Sequence, residues 1–430
     1  MGRRILFLAL VAAGLTVWLA EIPQPADAAS LAEIDSGDTA WMLVSSAFVL
    51  LMTPGLAFFY GGMVHRKHII STMLQSFVAL GVVTVLWVLV GFSLCFGESV
   101  GGIIGNPLTH LAFRGVGLAP NPDFAATIPF LLFALFQLKF AIITPALITG
   151  SMAGRIRFRS YILFMALFSL LIYAPLAHMT WHPDGLLRQA GVLDFAGGTV
   201  VHMSAGLAAL AGALFLGRRT HAHEEEPANI PFVILGTGML WFGWFGFNAG
   251  SALGATADAV LAFANTNIAS ATAMITWMFY ERFQNRKMSA VGACIGAIVG
   301  LVAITPAAGF VTPGESLVIG GLTALLCNAA MSYQRKTRVD DTLEVFPSHG
   351  VGGMIGMVMT ALFAGEVGLL HGGGWTAFGV HLLALVGTAA FAFGGAYGLF
   401  FLVNAGLSMR VTEAQEERGL DLSQHGESLS

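Results

Sequence analysis

Two histidines stand where the chain is otherwise fit only for an apolar interior. His202 lies in D-F-A-G-G-T-V-V-H-M-S-A-G, from Asp194 to Gly206, and His349 in P-S-H-G-V-G-G-M-I-G. A neutral imidazole gives one hydrogen bond and accepts another, and it exchanges a proton near physiological pH. A buried one can therefore relay protons or hold a small polar ligand. A lone helix histidine is otherwise a packing residue. The second one, again entering a Gly-rich apolar run in the later half of the chain, points to a pair. Such a pair can share a proton and titrate as a unit.

Aromatic residues recur at helical spacing. Phe136 and Phe140 are four apart, and Trp244, Phe247 and Ser251 stand at i, i+3 and i+7, so each set shares a face. Alone, such stripes are packing or lipid contacts. Beside a histidine pair they can narrow a pore, with Phe140 and Phe247 excluding water while Trp181 and Phe136 offer π faces to an arriving cation. A desolvated cation gains about 2 kcal/mol over such rings, and the Ser251 hydroxyl can accept one of its protons. An apolar constriction makes charge expensive, so an ammonium-like cation would shed a proton and continue neutral; potassium has no proton to shed. Asp194 opens the segment bearing His202, and its carboxylate suits either helix capping or direct cation binding. Asn265-Thr266 reads as helix-to-helix hydrogen bonding. A metal held by His202 and His349 would lack nearby carboxylates or thiolates, and Cys95, Cys294 and Cys327 lie in apolar runs without ligand spacing. Free thiols, no metal and no cofactor are expected.

The elements that must position these residues follow from composition. Hydrophobic residues make up 56% and charged ones 10% of the chain, and the mean hydropathy is +0.77. This excludes a water-soluble globule. Runs of about 20 apolar residues recur without strand alternation, so the fold class is an all-α polytopic membrane protein in contact with lipid. The 53 glycines suit closely packed helices. Residues 1–28, with Arg3-Arg4, an apolar core and A-D-A before position 29, read as a cleaved signal peptide. Eleven spans are expected, centred in Trp41–Met63, Ile70–Phe96, Phe124–Met152, Tyr161–Trp181, Phe195–Leu216, Ile230–Gly250, Ala257–Tyr280, Ser289–Ala308, Ser316–Ser332, His349–Ala364 and Trp375–Leu407. Arg66, Lys67, Arg155, Arg157, Arg159, Arg218, Arg219, Arg282, Arg286, Lys287, Arg335, Lys336 and Arg338 fall in alternate loops, against Arg114 and Arg188 on the other side. The mature N-terminus is therefore expected outside and the C-terminus in the cytoplasm. This explains the basic loops without a nucleic-acid partner. Histidines in the fifth and tenth spans suggest two inverted five-helix halves plus a final helix. Corresponding elements would then meet at the midplane, with Gly197, Gly198, Gly350, Gly352 and Gly353 allowing close approach and Gly292, Gly296 and Gly300 forming a further small-residue face.

At P-G-L-A-F-F-Y-G-G (Pro54 to Gly62), I-T-P-A-L-I-T-G (Ile143 to Gly150), D-F-A-G-G-T-V-V-H, G-W-F-G-F-N-A-G-S (Gly243 to Ser251) and H-G-V-G-G, the sequence resembles the ammonium transporter (Amt/MEP/Rh) family, its bacterial Amt branch closely. The resemblance implies a homotrimer with one pore per subunit, in a bacterial inner membrane, conducting ammonium or methylammonium in nitrogen assimilation. Under it, 29–409 form the transmembrane domain and 410–430 a cytoplasmic regulatory tail that takes part in control by PII-type proteins. It assigns Trp181, Phe136 and Ser251, with Trp244 close by, to the outer ammonium site. Phe140 and Phe247 become the phenyl gate, His202 and His349 the twin-histidine pair, and Asp194 the support of the outer vestibule. An ammonium sensor signalling through cytoplasmic partners is the alternative. Three departures from the family pattern stand out: Lys139 beside Phe140, Gly154 in place of a common acidic residue at the cytoplasmic end, and Pro347-Ser348 before His349. A lysine at a helix centre costs about 2.5–3.5 kcal/mol on insertion scales, so Lys139 must snorkel, pair or neutralise.

Overall fold

The computed structural model describes residues 33–220 and 226–429, so the expected signal peptide at 1–28 lies outside the described residues. Among the described residues, ten helices are long and apolar enough to cross a membrane. They are α1 (Ser36–Met63), α2 (Arg66–Phe96), α3 (Phe130–Met152), α4 (Phe158–Gln189), α5 (Gly198–Leu216), α6 (Ile230–Gly250), α7 (Ala257–Phe283), α9 (Pro313–Gln334), α10 (Phe346–Phe363) and α11 (Gly374–Gly406). Between α7 and α9 runs α8 (Ala290–Ile304), apolar but only 15 residues long. Polar residues mark several helix starts: Asn229, Thr256, Ser289 and Thr312 each accept a backbone N–H from the turn they open.

Two boundaries differ from the sequence expectation for identifiable reasons. The third span does not begin at Phe124, because Ala125–Pro129 form a strand antiparallel to Pro120–Asn121 and Pro129 caps the helix. The eighth does not reach Ala308. Pro306 has no N–H to continue the ladder, so α8 stops before it and Pro306 O instead accepts from Phe195 N at 3.1 Å.

Small residues set the closest helix contacts. On α6, a Cβ at Gly236 would lie 2.3 Å from Phe59 N on α1, and Gly243 faces Met52 of α1. The expected face of Gly292, Gly296 and Gly300 packs on Glu281, Trp277 and Ala269 of α7. Asn265 donates to Ala308 O and Val311 O at 2.9 and 2.6 Å, and Thr266 Oγ1 accepts from Asn248 at 2.9 Å, so this pair does join neighbouring segments. Among the described residues, the tightest approach between helices joins the two histidine helices: a Cβ at Gly206 would lie 2.0 Å from Gly350 N. Gly206→Ala is accordingly expected to cost about 1–3 kcal/mol or more through overpacking, read as a lowered thermal midpoint of the purified protein. An unchanged midpoint would show that α5 and α10 can separate freely.

The basic loops gather at one end, where the tail also docks. Ile156 pairs with Arg410, flanked by Arg157 N to Met409 O at 2.8 Å and Val411 N to Arg155 O at 3.0 Å. Gly154 precedes this pairing at φ +82°, a left-handed conformation that favours glycine, and the loop is anchored by backbone rather than by an acidic side chain. Farther on, Asp421 accepts from Ile70 N and Ser71 N at the start of α2 (3.1 and 2.7 Å). Gln424 accepts from Phe158 N (2.8 Å) and donates to Ile156 O (3.1 Å). The tail is therefore packed on its own chain, and Glu416 and Asp421 are buried.

Candidate functional site

Five spans and the end of α8 converge on one line of rings. Phe136 and Phe140, one turn apart on α3, have centroids 5.0 Å apart, and Phe140 lies 5.8 Å from Trp181 of α4 and 4.3 Å from Phe247 of α6. Phe247 continues to His202 of α5 at 5.9 Å, and His202 to His349 of α10 at 5.4 Å. The rings of His202 and His349 meet through their Nδ1 atoms, 3.3 Å apart. Phe136, Phe140, Phe247 and His202 are at most 1% exposed, whereas Trp181 is half-buried at the mouth of the line.

Trp244 is buried beside the histidine. Its ring stacks on His202 at 5.3 Å, lies 5.6 Å from Phe247, and donates Nε1–H to Thr305 Oγ1 at 2.9 Å. Ser251 is half-buried and donates to Phe247 O at 2.8 Å, which leaves its lone pairs open; its neighbour Gly250 abuts the Phe136 ring. Lys139 takes no part in the ring line. It is half-exposed and shares the outward side of α3 with the exposed Leu135, while Phe136 and Phe140 point inward.

Asp194 acts on both sides of the mouth. Its Oδ1 accepts from Gly197 N and Gly198 N at 2.8 and 2.6 Å, and its Oδ2 from Thr199 N at 2.8 Å and from the Thr199 hydroxyl. Its backbone carbonyl accepts from Trp181 Nε1 at 3.2 Å. The carboxylate therefore caps the otherwise unpaired N–H groups at the start of α5, as a helix N-terminus requires. The same device recurs in the other histidine helix: Asp341 accepts from Val345 N and Phe346 N at 3.0 and 2.7 Å. In each case the aspartate precedes its histidine by eight residues. That repeated spacing is the sequence signal by which Asp341 could have been found.

Below His349 lies a cavity of about 10 Å³, the room one water-sized molecule needs, lined by Tyr60, Ile298, Ser348 and His349. Met63, Ile295 and Leu343 line it too, and they also line a cavity of about 470 Å³ at the basic end that contains Asp340, Asp341 and Glu344. Arg155 is fully buried there and donates to Thr342 Oγ1 at 2.7 Å and to Asp340 O; burial lowers its guanidinium to about 10 despite the neighbouring Asp340.

The two adjacent aspartates have opposite pH signatures. Burial raises the Asp341 carboxyl from 3.8 to about 6, against its backbone hydrogen bonds. The folded state thus holds that proton more tightly than the unfolded chain, and the stabilisation, full below 3.8, is lost as pH rises through about 6. For Asp340, burial pushes upward but the hydrogen bonds and charge of Arg219, with Arg155, prevail and hold it at about 2. Its contribution is present above 3.8 and lost as pH falls through about 2. Asp341→Asn is expected to flatten the stability profile between pH 3.8 and about 6 while leaving the acid limb below 3.8 in place. An unchanged profile in thermal melts across that window would show that Asp341 does not hold its proton.

No group of three or more metal-ligating side chains occurs among the described residues. The family model described as the Ammonium Transporter Family matches residues 40–429. An ammonium transporter of Aquifex aeolicus is 45% identical over 407 residues, covering 93% of this chain and 94% of its own. The crystal structure of Mep2 from Candida albicans superposes with a TM-score of 0.84 at 33% identity, over 90% of this chain and 88% of that one. A structure titled Sensor Amt Protein superposes at 0.83 and 32% identity, over 90% and 98%.

Proposed function

The chain belongs to the Ammonium Transporter Family, a family of multi-pass membrane transporters, and from that premise we propose that it carries ammonium and methylammonium across a bacterial inner membrane. The cation is recruited at the half-buried mouth by Trp181, Phe136 and Ser251, with Trp244 behind them. It gives up a proton there to solvent water, and the neutral molecule passes Phe140 and Phe247 and then the pair His202 and His349. The observation that carries this reading is the unbroken line of rings from Trp181 to His349, which ends on a cavity sized for one small molecule. An ion would lose its hydration along that line with no charged side chain to compensate, whereas a neutral hydrogen-bonding molecule meets imidazole partners.

The finer architecture follows from the same pairing. α8 serves as a short eleventh span, and two inverted halves bring α1 against α6 and α5 against α10, consistent with the close approaches at Gly236 and Gly206. The basic end with the docked tail faces the cytoplasm, where a PII-type protein would bind, and three copies assemble as a homotrimer. The second reading, an ammonium sensor, draws on the likeness to the Sensor Amt Protein.

Proteoliposomes given labelled methylammonium, and separately an ammonium concentration jump with potassium as control, test the proposal. Saturable uptake with no response to potassium is the expected result. Folded protein without uptake would overturn transport and leave sensing.

A further inference from the structure

The hydroxyl of Thr305, at the end of α8, sits between two ring nitrogens and has its own proton committed, because it donates to Leu301 O at 2.8 Å. A hydroxyl has one donor and two acceptor lone pairs, so both ring neighbours must donate to it. The indole of Trp244, a donor only, takes one lone pair at 2.9 Å. The other faces His202 Nε2 at 3.3 Å, which is satisfied only if Nε2 carries the His202 proton. A neutral imidazole has one such proton, so His202 Nδ1 is a bare acceptor. His349 Nδ1, 3.3 Å away, must then be the donor between the rings. That leaves the lone pair of His349 on Nε2, in a ring that lines the small cavity.

We propose that Thr305 is a positioning residue that sets the direction of the histidine pair: Nε2–H on His202, Nδ1–H on His349, and the pair's one open acceptor on His349 Nε2. The hydrogen bonds then all run one way, from His349 to His202 to Thr305 to Leu301 O. A chain so oriented takes up a proton only at His349. For a proton to travel in the opposite sense the chain must invert. Passage in the permitted sense itself leaves the chain inverted: one proton arrives at His349 Nε2 from water in the small cavity, the shared one crosses from His349 Nδ1 to His202 Nδ1, and one leaves His202 Nε2 to water in the pore, so the count on the pair is unchanged. The Thr305 hydroxyl must meanwhile turn from Leu301 O to the bared His202 Nε2. Only the consequence for transport rests on the pore proposed above; the proton positions do not.

Ring-¹⁵N histidine spectra of the protein in lipid test this directly, with signals assigned by their loss in His202→Gln and His349→Gln. The unmodified protein is expected to show protonated Nε2 and bare Nδ1 on His202, and the reverse on His349. Thr305→Val removes the acceptor and is expected to shift the His202 tautomer ratio about tenfold, the effect of one buried hydrogen bond, while Thr305→Ser restores it. A proton on His202 Nδ1 in the unmodified protein would overturn the proposal whether or not the valine variant folds. An unchanged ratio in folded Thr305→Val would overturn it too. Methylammonium uptake is read on the same samples: its absence with the expected tautomers would sink the transport reading alone.

Discussion

Methylammonium uptake by His202→Ala and by His349→Ala is expected to fall roughly tenfold to hundredfold relative to the unmodified protein. The line from Phe140 to His349 offers a polar molecule few partners except these imidazoles, since Phe136, Phe140 and Phe247 are sealed from solvent and present only ring faces and edges. A hydrogen bond left unmade in such surroundings costs about 1–3 kcal/mol, and each 1.36 kcal/mol on a barrier is about tenfold in rate. His202→Ala also strips the ring stacked on Trp244, leaving a void beside Phe247, so potassium flux must be measured in the same vesicles. Loss of uptake without potassium leak would show the pair acting as a hydrogen-bonding relay. A gain of potassium flux would show it acting as the barrier to charge. Undiminished uptake in both variants would remove the pair from the path.

Asp194→Ala is expected to destabilise the protein by at least about 3 kcal/mol, because three backbone N–H groups and the Thr199 hydroxyl lose one carboxylate together in a buried helix start. The sum is not strictly additive, since the four bonds share one acceptor group. Both carboxylate oxygens are occupied by these donors, which favours capping over direct cation binding. Asp194→Asn separates the two roles, because the amide keeps one acceptor and the shape. Under the capping role, its uptake loss tracks its fall in thermal midpoint and is recovered at lower temperature. A variant that melts normally yet takes up no methylammonium would show the carboxylate acting on the cation itself.

The residues of the ring line were legible in the sequence because their types are conspicuous where they stand. His202 and His349 interrupt apolar runs, and Phe136 with Phe140, like Trp244 with Phe247, keep helical spacing, so a common face follows from geometry. The span starts expected at Ile230 and Ala257 are also where α6 and α7 begin. What eluded the pattern depends on partners distant in the chain. Thr305 looks like any helix-end threonine bonding its own preceding turn, and only the arrival of Trp244 and His202 gives its lone pairs meaning. The depth of Trp244 beside His202, and the outward side taken by Lys139, are settled by how α6 and α3 rotate against their neighbours. The strand at Ala125–Pro129 was masked by its apolar composition, which suits a span as well as a buried strand.

Both histidines occupy π-helical turns, Gly198–Met203 and Phe346–Val351, in which the backbone carries one residue more than an α-helix would to cover the same ground. An α-helix turns about 100° per residue, so that surplus residue rotates everything before it relative to everything after it. The alignment of His202 with His349 is therefore a matter of counting as well as of chemistry. Deleting one residue other than the histidine from either turn would let the segment relax to ordinary α register and swing its imidazole about a quarter-turn away from its partner, even though every ring of the line remained. Length in these two short segments is as constrained as identity, and a histidine pair held in this way would tolerate many substitutions around it before it tolerated a single-codon deletion.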